Sequence, residues 1–220
     1  MRLVVNSKSM RQLLWWVQRA LFTGAVLALG YCGFILVDTW IFQNRASHDL
    51  ESRRHDQRAA YHAPLTMGPA VSPEVQAVAP DGMIGRIEIP RIGLSAVVFQ
   101  GIGKDTLRLA VGHIPGTALP GQLGNAGLAG HRDTFFRPLR RIIQNDLITV
   151  TTLRGEYRYR VVSTRVVDPA EVSVLRPTAN ETLTLVTCHP FNFVGAAPNR
   201  FVVFAERVRG PTGAPLADSR

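Results

Sequence analysis

Tyr157-Arg-Tyr-Arg-Val-Val162 sets aromatic and aliphatic residues against arginines at a period of two. Successive side chains of a β-strand project to opposite faces, so this pattern belongs to a half-buried strand. The run extends over Tyr157–Val167. Working outward, Ile84–Ile89, Leu94–Phe99, Gly127–Gly130 and Leu147–Thr152 read as strands before it. Thr182–Thr187 and Phe201–Val208 read as strands after it, and Gly and Pro punctuate the gaps. No amphipathic helix of about twelve residues or more interrupts them, and Arg137–Ile143 offers a turn or two at most. Seven or eight strands over about 130 residues predict an all-β domain, a small barrel or a sandwich.

The whole chain has 220 residues, 46% apolar and 19% charged, which suits one folded domain with appendages. Its net charge of +9 is spread out, with +4 in residues 1–58 and +5 in residues 59–220. No Lys/Arg block is dense enough for a nucleic-acid arm, so no nucleic-acid partner is expected. Two cysteines exclude a disulfide scaffold and a Cys-rich zinc module. Cys32 lies in an apolar run and Cys188 ends a β-like one, so they are not expected to pair.

Ala20–Val37 carries no charge, and apolar character continues through Trp40-Ile-Phe42. The length suits a hydrocarbon core of about 30 Å. Trp15, Trp16 and Trp40 fit the two headgroup levels, and Arg2, Lys8, Arg11 and Arg19 precede the span without an acid. This predicts a transmembrane anchor over 20–42, a cytoplasmic N-terminus over 1–19 and everything after Phe42 outside. The lipid bilayer is thus an expected partner. A cleaved signal peptide fits less well, because the apolar run exceeds a usual h-region. Bulky Tyr31 also disfavours lipoprotein processing at Cys32. Residues 43–80 read as a juxtamembrane helix followed by a Pro-rich spacer (63–80). His48, His55 and His62 repeat every seven residues, about 10.5 Å along a helix, too far apart to share one metal ion. The β-rich domain is expected over 81–210, with a flexible tail over 211–220.

Within that domain Gly101-Ile-Gly-Lys-Asp-Thr106 imitates a phosphate loop. Its glycine spacing is wrong and Asp105 stands where Ser or Thr must follow the lysine, so a turn beside a strand is expected. Thr184-Leu-Val-Thr-Cys188-His-Pro190 is a stronger signal. A β-run delivers one cysteine to the point where Pro190 ends the strand, a rigid mount for a nucleophile. A free cysteine packed as a small hydrophobe accounts for these residues equally well. Leu128-Ala-Gly-His131-Arg-Asp-Thr134 sets an imidazole among small residues, and a thiol nucleophile needs such a base or ion-pair partner. A hydrogen-bonded structural histidine is the plainer alternative. His113 and His189 compete for the role, although His189 would face away from Cys188 on a continuing strand. Arg200 opens Arg200-Phe-Val-Val-Phe-Ala205. It is either solvent decoration or a fork of donors for a developing oxyanion.

Taken together, Leu128-Ala-Gly-His131-Arg-Asp-Thr-Phe-Phe136, Thr184-Leu-Val-Thr-Cys188 and Pro198-Asn-Arg200-Phe-Val-Val203 resemble the sortases, membrane-anchored cysteine transpeptidases. Gly112-His-Ile-Pro-Gly-Thr-Ala118 and the stretch from Cys188 to Arg200 are most similar to class D. The resemblance covers about residues 82–208. It implies a closed eight-stranded β-barrel with short helices behind one transmembrane helix, and His131, Cys188 and Arg200 as the catalytic set. It further implies that Cys188 attacks a threonine carbonyl in a C-terminal Leu-Pro-x-Thr-Ala/Gly-like sorting motif of an exported protein. A thioester forms, and an amine acceptor in the envelope resolves it. His189 departs from the pattern, which would place an aromatic such as Tyr there. No acidic cluster suits Ca²⁺, so neither metal nor cofactor is expected. A hydrolytic peptidase on the same scaffold, a tethered β-domain that only binds envelope partners, and a His131–Cys188–His189 metal site are the other readings.

Overall fold

The computed structural model describes residues 7–62, 78–79, 81–193 and 195–208. The Pro-rich spacer expected over 63–80 lies outside the described residues apart from Val78 and Ala79, as does the tail expected over 211–220.

The chain divides into two compact units, Met1–Asn44 and Arg45–Arg220. One helix, α1 (Ser7–His62), runs from the first into the second. In the first unit many of its apolar side chains are exposed: Leu21 and Phe22 are 70% exposed and Leu29 is 72% exposed. Among the described residues it is long and apolar enough to cross a membrane. The Arg19 guanidinium lies over the Trp15 ring, 4.4 Å from its centroid. The polar stretch after Phe42 continues the same helix to His62, as its freedom from Gly and Pro allows. His48 and His55 are exposed on it.

The second unit is built on eight strands: β1 (Met83–Ile89), β2 (Leu94–Gln100), β3 (Val111–His113), β4 (Gly124–Ala129), β5 (Leu147–Thr152), β6 (Glu156–Val167), β7 (Glu181–His189) and β8 (Asn199–Arg207). They close in the order β1-β2-β3-β4-β7-β8-β6-β5. The β2–β3 and β4–β7 pairs are parallel and the other six are antiparallel. Closure leaves no sheet edge. It also decides between the two architectures that the strand pattern allowed.

Each strand turns one face inward. Tyr159 and Val161 of β6 join Ile87, Val98, Ala126, Leu128, Val150, Leu183, Leu185 and Val203 in one core, while Arg158 and Arg160 face solvent. The arginine–aromatic alternation is therefore the two sides of a barrel wall. Tyr159 is 1% exposed, and its hydroxyl oxygen accepts the Gly121 N–H at 2.9 Å. Burial pushes that phenol up to about 12.

Two details differ from the sequence reading. The short strand β3 was not anticipated, because Val-Gly-His is too brief to show a period. The stretch expected as a turn after Gly101 contains a six-residue helix, α2 (Lys104–Leu109). Its last-turn carbonyl is used when the Ala110 N–H donates to Thr106 at 2.8 Å.

Candidate active site

β4 and β7 lie side by side in parallel, with Ala129 opposite Val186. Leu128 and Ala126 point into the core, as do Leu183 and Leu185, so Asn125, Gly127 and Ala129 share the outer face with Thr184, Val186 and Cys188. β8 runs antiparallel to β7 and sets Arg200 directly opposite Cys188. Phe201, Val203 and Ala205 pack on the core, so Arg200 is also on the outer face. Carrying the β4–β7 register two residues past Ala129 brings His131 level with Cys188. Cys188 and Arg200 are therefore neighbours on one outer wall, and the backbone at His131 follows the end of the strand beside them.

The segment that carries His131 is tied down. The Gly130 N–H donates to the Val186 carbonyl at 3.2 Å, and the buried Thr187 hydroxyl donates to the Gly130 carbonyl at 2.7 Å. The His131 carbonyl in turn accepts the Phe136 N–H at 3.1 Å. A β-carbon on Gly130 would stand 2.9 Å from the Phe136 ring, so only glycine permits this approach. The imidazole itself is exposed.

Cys188 is half-buried and, like Cys32, a free thiol. Arg200 is half-buried and donates from Nη1 to the carbonyls of Ala197 (3.2 Å) and Asn199 (3.0 Å). Among the described residues it pairs with no carboxylate. Its remaining donors are available to a ligand.

A wall rises beside this face. Asn125 donates from Nδ2 to the carbonyls of Val174 (3.1 Å) and Arg176 (3.3 Å), fixing the connection between β6 and β7. The Thr184 hydroxyl donates to the Asn125 side-chain carbonyl at 2.7 Å. Gly127 is buried under the same cover, and a β-carbon there would meet Leu175, Ile114 and Thr117 at 3.1–3.2 Å. Cys188 and Arg200 thus occupy opposed positions on β7 and β8, and the segment that carries His131 is hydrogen-bonded beside the end of β7.

The two competing histidines lie elsewhere. His113 is 2% exposed. Its Nε2 faces the Ala118 carbonyl at 2.9 Å and its Nδ1 the Gln100 side chain at 3.0 Å. Burial lowers its affinity for a proton, while the Ala118 carbonyl works the other way. β7 runs through His189, which places that ring on the opposite strand face from Cys188. It stacks on Phe201 (centroids 6.2 Å apart) and meets Phe191 edge-on (5.9 Å), filling the aromatic position of the pattern. Arg132 was given no part by the sequence. It is 6% exposed, and its guanidinium donates to the carbonyls of Pro190, Phe193 and Gly195. Only its place beside His131 hinted at this.

A family model described as the sortase domain matches residues 87–208, more than half of the chain. Sortase D of Bacillus subtilis is 35% identical over 125 residues, 56% of this chain and 63% of that protein. The aligned region thus spans less than two thirds of that relative's length. The crystal structure of sortase C-1 from Actinomyces oris superposes with a TM-score of 0.56 at 28% identity, covering 74% of this chain and 99% of that one. A Clostridium perfringens sortase D5 transpeptidase shares the fold, with a TM-score of 0.59 at 24% identity, over 76% of this chain and 99% of that one.

Proposed function

The chain belongs to the sortase family, and from that premise we propose that it is a cysteine transpeptidase acting at the outer side of a membrane. Cys188 is the nucleophile, His131 the proton carrier and Arg200 the cationic donor. The observation that carries this reading is the direct pairing of Cys188 with Arg200 across β7 and β8, level with the turn that holds His131.

The Cys188 Sγ attacks a threonine carbonyl in the C-terminal sorting motif of an exported protein, broadly Leu-Pro-x-Thr-Ala/Gly. A C–S bond forms, and Arg200 faces the negative charge that develops on the carbonyl oxygen. The C–N bond then breaks, and His131 gives a proton to the departing amine. A primary amine of the envelope attacks the thioester and returns a proton to His131. The C–S bond breaks and the thiolate is regenerated. An apolar helix at the N-terminal side suits such work, because it holds the domain where exported substrates emerge. We place the N-terminus in the cytoplasm and the barrel outside, following the basic residues that precede the span.

The test uses the full chain in detergent with an LPxTA-type peptide and a primary amine, and the joined product is weighed by mass spectrometry. Cys188→Ala is expected to abolish joining. Arg200→Lys, which keeps the charge but not the fork, is expected to lower kcat by about 10²-fold. Joining that survives in Cys188→Ala refutes the proposal. Cleavage unaffected by added amine would instead mark a hydrolytic peptidase.

A further inference from the structure

Arg132 is a buried cation that the reaction above does not use. Its side chain is 6% exposed, and its only carboxylate neighbour among the described residues is Asp133, 3.5 Å away and 64% exposed. A buried guanidinium is costly unless its donors are satisfied. Here backbone carbonyls satisfy them. Nη1 donates to Pro190 at 2.9 Å, and Nη2 donates to Phe193 and to Gly195, the latter at 3.0 Å. The guanidinium also lies over the Phe193 ring, 5.8 Å from its centroid.

All three acceptors belong to the connection between Cys188 and Arg200. Arg132 itself follows His131, whose segment is pinned to β7 through Gly130, Val186 and Thr187. At the far end of the connection, Arg200 holds the carbonyls of Ala197 and Asn199. The hydrogen bonds therefore run in a circuit from β7 to the His131 segment, through Arg132 to the loop, and back to Arg200 opposite Cys188. Arg132 is the link in this circuit that joins the imidazole's segment to the loop.

We propose that Arg132 is a positioning residue, whose guanidinium clamps the loop between Cys188 and Arg200 to the turn that carries His131 and so holds the three reacting groups in register. The inference rests on the transpeptidase reading for its kinetic consequence, but the clamp has a physical readout of its own. Lysine at this position keeps the charge yet cannot reach three divergent carbonyls with a planar fork. Displacements of about 1 Å at a reacting centre cost up to about 10²-fold in rate without a matching loss of binding.

The experiment compares the native chain in detergent with Arg132→Lys and Gly195→Ala. Gly195 has φ +98° with no heavy atom within 4 Å of a β-carbon built there, so alanine turns its carbonyl away by backbone strain without crowding. Rates of peptide–amine joining are normalised to the thiol titre of the folded protein. Hydrogen exchange is followed at the amides of residues 191–193 and in β7. The expected result for both variants is a fall of about tenfold or more in kcat per titrated thiol, with KM changed by less than about threefold. Exchange in 191–193, where the Phe193 N–H donates to the Pro190 carbonyl, should quicken by about tenfold while β7 stays protected. If Arg132→Lys does not fold, Gly195→Ala decides alone. Unchanged kcat per thiol together with unchanged exchange overturns the clamp. So does a loss that merely tracks the number of titratable thiols, since that marks a structural residue only. Should the native chain join nothing, the transpeptidase reading falls, and exchange in 191–193 alone decides whether the clamp exists.

Discussion

His113 shows how burial reassigns an imidazole that a sequence presents as a candidate base. In Gly112-His-Ile-Pro-Gly116 it sits among small residues much as His131 does. Folding puts its ring inside, against Ala118, Thr117 and Gln100, where it fastens the chain between β3 and β4. Because desolvation lowers its proton affinity, the folded state favours the neutral ring. Unfolded chains take up that proton first, so this contribution is complete above about pH 6.5 and is lost as pH falls through the lowered folded value. Thermal melts between pH 7.5 and pH 5 should therefore show a decline in Tm that is shallower in His113→Gln, even though that variant is less stable at pH 7.5. Equal slopes would refute the assignment. At this scale the sequence offered His131, Cys188 and Arg200 as candidates beside plainer structural readings, and the family resemblance grouped them as a catalytic set. It gave no sign of Arg132's role, because a cation bonded to backbone carbonyls leaves no pattern of partner side chains.

Among the elements, the parallel β4–β7 pair matters most, since it sets His131 level with Cys188. Seven of the eight strands were legible from alternation and from Gly/Pro punctuation. β3, at three residues, was below the length at which a period can be seen. Pairing partners were not legible, because β4 and β7 are separated by about fifty residues and parallel pairing carries no turn signature. One side-chain hydrogen bond guards the end of this pair, from the Thr187 hydroxyl to the Gly130 carbonyl (2.7 Å). Thr187→Val keeps the shape and leaves that carbonyl short of a donor. It should destabilise the protein by about 1–2 kcal/mol and lower kcat more than it raises KM. Chemical denaturation and steady-state rates test this together, and an unchanged kcat would show that the bond serves the fold alone.

For the Arg45–Arg220 unit as a whole, the barrel core is supplemented by the C-terminal part of α1. Leu50 is 2% exposed and packs with Ala79 and Met83, against Ala46, Phe99 and Leu153. Arg53 reinforces the contact, bonding Asp49 at 2.6 Å and Asp81 at 3.0 Å. Exposed pairs of this kind contribute at most about 1 kcal/mol, so the apolar contact dominates. Leu50→Ala should cost about 2–3 kcal/mol and lower the midpoint of barrel unfolding. A midpoint within error of the native value would mean that the helix end is not part of the barrel's cooperative unit. The sequence predicted a helix here from its polarity and its lack of Gly and Pro. It did not foresee that Leu50 is buried, because a single apolar residue in a polar stretch has no period to reveal a docking face.

By itself, the sequence determined the class of the barrel domain, the apolar helix before it and the residue types available for chemistry. These follow from local alternation, from the length of an uncharged run and from short motifs, all of which are written within a few residues of one another. Strand patterning left barrel and sandwich open, and the family resemblance implied the closed eight-stranded barrel that the structure has; tertiary structure alone decided that β4 lies along β7, and that His113 is buried while His131 is exposed. It also decided that Arg132 reaches across to the loop after Cys188. Those outcomes depend on contacts between segments tens of residues apart, whose register is set by which faces can be buried together and not by any local preference.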